Sequence, residues 1–275
     1  MVDPLRLLAV LAHPDDESLG CGGTLAKYAA EGVETALVTA TRGQAGRYRG
    51  IRQDDPAHPG RAALAARREI ELRAAAAALG VREVVLLDYE DQALDQADPP
   101  AAVAAIAREV RRLRPHVVIT FAPDGAYGHP DHIAISQFTT AAIVAAAGPA
   151  ARDEDPGGAP HRVSKLYYIA WPGPVWTAFQ EAFRALISTV DGVDRQATPW
   201  PDWAITTVVD TRAHWETVWR AVSCHESQVT AYERLGHLSP ASHEALWGWQ
   251  SFYRAFSLVN GGRRRETDLF EGLRA

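Results

Sequence analysis

Leu5-Arg6-Leu7-Leu8-Ala9-Val10-Leu11-Ala12-His13-Pro14-Asp15-Asp16-Glu17 is the stretch that decides the fold. Leu5 to Ala12 has strand length and is apolar almost throughout, as a strand buried on both faces is. It ends in a polar turn, after which Gly20-Cys21-Gly22-Gly23 reads as a loop leading into a helix from Thr24 to about Gly32. Outward from there the same unit recurs. Strands are expected from Glu34 to Thr41, Glu83 to Asp88 and His116 to Phe121, and helices from Arg61 to Leu79, Pro100 to Leu113 and Pro130 to Ala147. Such alternation predicts an α/β fold: a mostly parallel, doubly wound sheet with helices on both faces.

A polar, turn-rich stretch from Gly148 to His161 interrupts this rhythm. Strands are expected again from Lys165 to Trp171 and from Ala204 to Val209, and a helix from Arg212 to Val229. The chain therefore reads as a single domain over residues 1–275, with a core at 1–147, a loop at 148–162, and a sheet extension with a C-terminal helical and aromatic cap at 163–275. All eight tryptophans lie in that last part. They are expected to pack in the core or at an interface in preference to forming a sugar platform.

The 275 residues are 47% hydrophobic and 23% charged, which excludes a disordered or collagen-like chain. A net charge of −6 argues against a nucleic-acid partner, which requires a basic footprint. Cys21 and Cys224 are the only cysteines, too few for a disulfide framework or a four-thiolate zinc site. With neither a signal-peptide pattern nor an apolar run near ~20 residues, the expectation is a cytoplasmic protein that engages no membrane.

Two segments carry chemistry. Ala12-His13-Pro14-Asp15-Asp16-Glu17 follows the first strand, and Tyr127-Gly128-His129-Pro130-Asp131-His132 follows the fourth. In open α/β sheets, ligands gather at the carboxyl ends of strands. His13, Asp16 and His132 would supply two imidazoles and one carboxylate, leaving a position open for water as catalytic zinc sites do; Fe(II) suits the same set. Asp15, between two ligands without being one, is placed to accept a proton from that water. His129 is placed to support an oxyanion or a departing amine, and Tyr127 to add a phenol hydrogen bond. Asp131 reads as a capping or ligand-supporting residue.

The paired motifs resemble those of the PIG-L/LmbE family of metal-dependent N-deacetylases, together with Gly22-Gly23-Thr24, Thr39 to Gly43, and Arg68 with Glu71 and Leu72. The resemblance covers most of residues 5 to 145 and extends to His225-Glu226-Ser227-Gln228. It implies a Rossmann-like fold and a Zn2+ cofactor, with Fe2+ as the alternative. It also implies His13, Asp16 and His132 as metal ligands, Asp15 as general base and His129 as the oxyanion or leaving-group histidine. Local sequence is most similar to mycothiol-pathway deacetylases. That similarity implies a small amino-sugar conjugate as substrate, met by Arg68, Tyr127 and Asp91, with Asp88 competing for the place of Asp91. Alternative outcomes are amide hydrolysis on a larger thiol or glycosylated conjugate, and a carbohydrate-binding protein without catalysis.

Other features leave alternatives open. Gly20 to Gly23 lack the third glycine of a dinucleotide loop, since Leu25 stands there, so a cofactor site is not expected. Cys21 reads as a small buried side chain. The loop from Arg42 to Arg61 carries five arginines and either closes over substrate or is solvated. His225 and Gln228 either turn toward the site or pack in the core. Leu269 and Phe270 are expected to dock against the body or against a neighbouring subunit of a homo-oligomer.

Overall fold

The computed structural model describes residues 3–149, 158–183, 187–190, 192–196, 198–228, 230, 233–262 and 264–274. At its centre is β1 (Arg6–Leu11), flanked in parallel by β2 (Glu34–Thr41) and β4 (Val117–Phe121), with Leu8 opposite both Ala36 and Val118. β3 (Glu83–Tyr89) continues the parallel order beyond β2, and β5 (Lys165–Ile169) beyond β4. Nearly every residue of β1, β2 and β4 is buried, which is why these strands read as unbroken apolar runs.

Helices α1 (Asp16–Ala30) and α2 (Arg61–Ala78) cover one face, and α3 (Pro99–Leu113) and α4 (Pro130–Ala147) pack together on the other. Their starts follow from local chemistry. Asp98 caps α3 by accepting from Ala101 N–H, ahead of Pro99 and Pro100, and His129 caps α4 by accepting from Asp131 N–H, ahead of Pro130.

The expected loop at Gly20 to Gly23 is instead part of α1, which begins at Asp16 and is only interrupted at Cys21 (φ −144°). The glycines serve packing: a Cβ on Gly23 would stand 2.8 Å from Thr211 Cβ, and one on Gly20 would stand 3.1 Å from Ile169 Cδ1. Cys21 is fully buried, as expected.

Beyond residue 163 lie α5 (Gly173–Phe183), the hairpin β6 (Ile187–Val190) and β7 (Val193–Gln196), β8 (Thr207–Asp210), α6 (Trp215–Ser223), α7 (Pro240–Trp247) and β9 (Trp249–Ser257). β9 inserts antiparallel between β5 and β8, completing a seven-stranded sheet of order β3-β2-β1-β4-β5-β9-β8. The helix expected from Arg212 to Val229 stops at Ser223. The chain then bends so that His225 drops inward onto Glu17. Most of the polar stretch from Gly148 to His161 lies outside the described residues.

Trp247 is fully buried with Phe179, Val218, Val222, Leu235 and Leu246 in a second apolar cluster, while Trp203 is 87% exposed, so the tryptophans form no common platform. Leu269 and Phe270 are wholly buried against the body. Glu266 fixes this tail by accepting from Lys165 Nζ (2.7 Å), the Tyr167 hydroxyl (2.7 Å) and Thr207 Oγ1 (2.8 Å).

Candidate metal centre

β1 sends its chain to β2 on one side while β4 lies on the other, so the crevice beyond their carboxyl ends is the switch point of the sheet. Residues 13–16 enter it from β1, and residues 129–132 enter it at the start of α4.

His13, Asp16 and His132 converge there, all buried, with one donor atom from each within 4.8 Å of the others. His13 Nδ1 lies 3.2 Å from His132 Nε2 and 3.6 Å from Asp16 Oδ2, and His132 Nε2 lies 3.5 Å from Asp16 Oδ1. Bonds of about 2.0–2.2 Å to a tetrahedral ion put neighbouring donors about 3.3–3.6 Å apart; the two imidazoles already stand near that spacing, and Asp16 meets each of them with a different oxygen, so a small turn of its carboxylate completes a set for a divalent metal. Burial lowers His13, but Asp131, Asp16 and Asp91 outweigh it and raise the imidazole well above its ordinary value, so metal binding there displaces a proton. Burial pushes His132 down to about 3, which keeps it in the neutral, ligating form. Burial pushes Asp16 up, but the His132 and His13 imidazoles outweigh it and hold the carboxyl well below the usual carboxylate range. The His13 and Ala12 amides, donating to Asp16 Oδ2 at 2.7 and 3.2 Å, fix its orientation.

A second grouping, His13, His129 and Asp131, is also close enough to hold an ion. Its members are committed elsewhere, however. Asp131 accepts from the Gln92 and Leu94 amides (2.7 and 3.1 Å), and His129 Nδ1 accepts from Asp131 N–H (3.2 Å).

The far nitrogen of His13 lies 3.1 Å from both Asp91 Oδ1 and Asp131 Oδ2, the arrangement that orients a ligating imidazole from behind. Asp91 also accepts from Ala45 N–H (2.7 Å); burial raises its carboxyl, but His13 outweighs this and holds it at about 2. Asp88, its competitor in the sequence, is solvent-exposed and paired with Arg42 (2.6 Å). The structure thus brings Asp91 to the centre and leaves Asp88 outside it.

Asp15 sits beside the ligands, with Arg68 Nη2 2.9 Å from its Oδ2. Arg68 is 4% exposed and also donates to the carbonyls of Pro14 and Gly43, so it stitches the Asp15 turn to the loop after β2. His129 stacks on His132 at 4.7 Å, and the Tyr127 ring stands 5.9 Å from His129 and 5.4 Å from His132. Burial, followed by the charge on His13, lowers His129 and keeps it neutral; burial pushes the Tyr127 phenol up, so it remains a donor.

Sequence reasoning did not find that Glu17 belongs to this site's support. Its carboxylate accepts from Asp15 N–H (3.0 Å) and meets His225 Nε2 (2.9 Å). Its signal in the sequence is its place at the end of the Ala12–Glu17 motif, which the structure puts in the first turn of α1.

Residues 8–143 match the family described as PIG-L: GlcNAc-PI de-N-acetylase. A protein of Kineococcus radiotolerans named 1D-myo-inositol 2-acetamido-2-deoxy-alpha-D-glucopyranoside deacetylase is 37% identical, over 98% of this chain and 83% of its own length. Two solved structures share the fold with a TM-score of 0.67. The N,N'-diacetylchitobiose deacetylase of Pyrococcus horikoshii is 20% identical over 92% of this chain and 84% of its own. The 4-carboxy-2-hydroxymuconate hydratase GalB of Pseudomonas putida is 19% identical over 94% and 99%. One fold thus carries two chemistries, and at these identities it is the fold alone that is shared. The sequence match over nearly the whole chain goes further: the chain belongs to the PIG-L, GlcNAc-PI de-N-acetylase, family of deacetylases.

Proposed function

We propose that the protein is a metal-dependent N-deacetylase that hydrolyses the acetamide of an N-acetylglucosaminyl conjugate. The inositol glycoside named for its relatives is the first candidate substrate. The observation that carries this reading is the convergence of His13, Asp16 and His132 beside Asp15 and His129. Zn2+ is the ion assigned, with Fe2+ the alternative, since two imidazoles and a carboxylate suit both. Such an ion, when bound, supplies Lewis acidity toward the amide carbonyl and makes water a nucleophile near neutral pH.

The protein's own groups do the rest. Asp15 takes the proton of the attacking water, its carboxylate oriented by Arg68. Neutral His129 accepts from a backbone N–H at Nδ1, which assigns its proton to Nε2. It therefore acts as a hydrogen-bond donor to the developing oxyanion, with Tyr127 as a second donor. When the carbon–nitrogen bond breaks, the proton held by Asp15 passes to the amine, and acetate and the free amino sugar leave. Tyr127, Arg68 and Asp91 frame the sugar in this reading, Arg68 and Asp91 while also holding Asp15 and His13.

Residues 163–275 wall the pocket as part of the same domain. The contact of Arg195 with the Gly128 carbonyl (3.3 Å), which sets the β6–β7 hairpin against the turn bearing Tyr127, supports this. A cytoplasmic setting accords with two free cysteines and with the lack of any described helix long and apolar enough to cross a membrane.

Metal-replete protein is to be incubated with a panel of N-acetylglucosaminyl conjugates, including the inositol glycoside, and acetate measured. Acetate release is expected. Cleavage confined to larger thiol conjugates would replace the reading with an amidase, and binding without release would replace it with a carbohydrate-binding protein.

A further inference from the structure

Asp15 has a backbone that a non-glycine residue rarely adopts, φ +113° and ψ −25°. Such a conformation persists only where its surroundings impose it. Its N–H is held by Glu17 Oε2 at 3.0 Å. Glu17 is fully buried, and its other oxygen accepts from Ser18 Oγ (2.6 Å) and pairs with His225 Nε2 (2.9 Å). His225 is 1% exposed, and its Nδ1 finds no partner among the described residues, so Glu17 is the contact to which this buried ring is devoted.

The same segment also anchors on the helix that carries Arg68. Ser227 donates its N–H (2.8 Å) and hydroxyl (2.6 Å) to Glu71, one helical turn along α2 from Arg68, which in turn holds the Asp15 carboxylate. The Ser227 carbonyl accepts from Arg49 N–H (2.6 Å), linking in the loop after β2. Residues 225–227 thus reach the Asp15 amide through Glu17 and also anchor on α2 three residues from Arg68, from a part of the chain more than 200 residues beyond Asp15.

We propose that His225 is a positioning residue for hydrolysis: through Glu17 it holds the Asp15 turn in its left-handed conformation and so aims the base. This rests on the assignment of Asp15 as base. It differs from a purely structural role for the Glu17–His225 pair, which would act on stability alone.

The test compares His225→Ala with His225→Gln, whose side-chain amide reaches Glu17 and can donate to it. In the metal-free protein, hydrogen exchange at the Asp15 amide, resolved by NMR, is expected to quicken about 10-fold or more in His225→Ala and to return to near wild type in His225→Gln, with β1 and β4 amides unchanged. In the metal-replete enzyme, kcat is expected to fall about 10- to 100-fold in His225→Ala, with KM and metal content preserved, and to recover in His225→Gln. Should His225→Ala not fold, His225→Asn, one methylene too short to reach Glu17, takes its place and must behave unlike His225→Gln. An Asp15 amide equally protected in all variants overturns the proposal, as does a kcat loss that glutamine does not rescue. If wild-type protein releases no acetate from any conjugate, the proposed function fails, while the exchange measurement still decides the role of His225.

Discussion

Gly43→Ala tests the organisation of the site without touching any residue that would hold metal. Gly43 has φ +62°, and a Cβ built there would lie 2.0 Å from Arg68 Nη1 and 2.4 Å from Arg68 Cζ. Arginine ends usually swing aside, but this one is buried and bonded to Pro14 and Asp15, so it can yield only by releasing them. The left-handed backbone costs about 1–2 kcal/mol for alanine, and a lost hydrogen bond to a charged group costs about 1.5–3 kcal/mol. At an unfolding entropy of about 0.6 kcal/mol/K for a chain this long, the sum of about 2.5–5 kcal/mol lowers Tm by about 4–8 °C. Gly32→Ala is the control, because Gly32 has φ +81° and nothing within 4 Å of the added Cβ. It should show only the backbone cost, about 2–3 °C, with full activity. Calorimetry and acetate release then separate the two terms. Gly43→Ala should lose about 100-fold in rate at unchanged metal content, because Asp15 loses its guide. If it matches Gly32→Ala in both Tm and rate, Arg68 does not organise Asp15 as described.

Asp91→Asn should weaken metal binding about 10- to 100-fold in competition with a chelator, because Asp91 supports His13, whereas Asp88→Asn should leave it unchanged; equal effects would reject the distinction drawn between them. Tyr127→Phe should lower kcat about 10- to 100-fold with metal content intact, and an unaltered kcat would remove the phenol from the reaction. Burial raises the Glu266 carboxyl, but Lys165, Asn260, Tyr167 and Thr207 outweigh it and bring it from 4.5 to about 2. Its stabilisation is therefore complete above pH 4.5, where the unfolded glutamate is also ionised, and is lost as pH falls through about 2. Urea unfolding should show Glu266→Gln less stable than wild type by about 3 kcal/mol at pH 7, with the gap closing toward pH 2; a gap independent of pH would contradict the assignment.

Much of the first half was legible because its signals are local. The strands around β1 are buried on both faces and so read as apolar runs, and the metal-binding residues fall in two short motifs at strand ends. What escaped depends on distant partners. Gly20 to Gly23 look like a loop until Thr211 and Ile169 arrive, 188 residues after Gly23 and 149 after Gly20, and leave no room for a Cβ. β9 pairs antiparallel with β5 more than 80 residues earlier and carries no hairpin turn to announce it. Asp88 and Asp91 are three residues apart on an irregular turn, where φ values of +62° at Asp88 and +67° at Gln92 decide which carboxylate faces inward. Glu17 closes the first motif and His225 opens the segment 225–228, but nothing local pairs them, and only the bend after Ser223 brings them together.

The central claim is that one ion held by His13, Asp16 and His132 enables Asp15 to drive amide hydrolysis. Titrating metal-free protein with Zn2+ while following acetate release tests it most directly. The rate is expected to rise in proportion to added metal and to break at about one equivalent, with no activity before addition. Full activity in metal-free protein, or a rate that ignores the ion at every ratio, would contradict it.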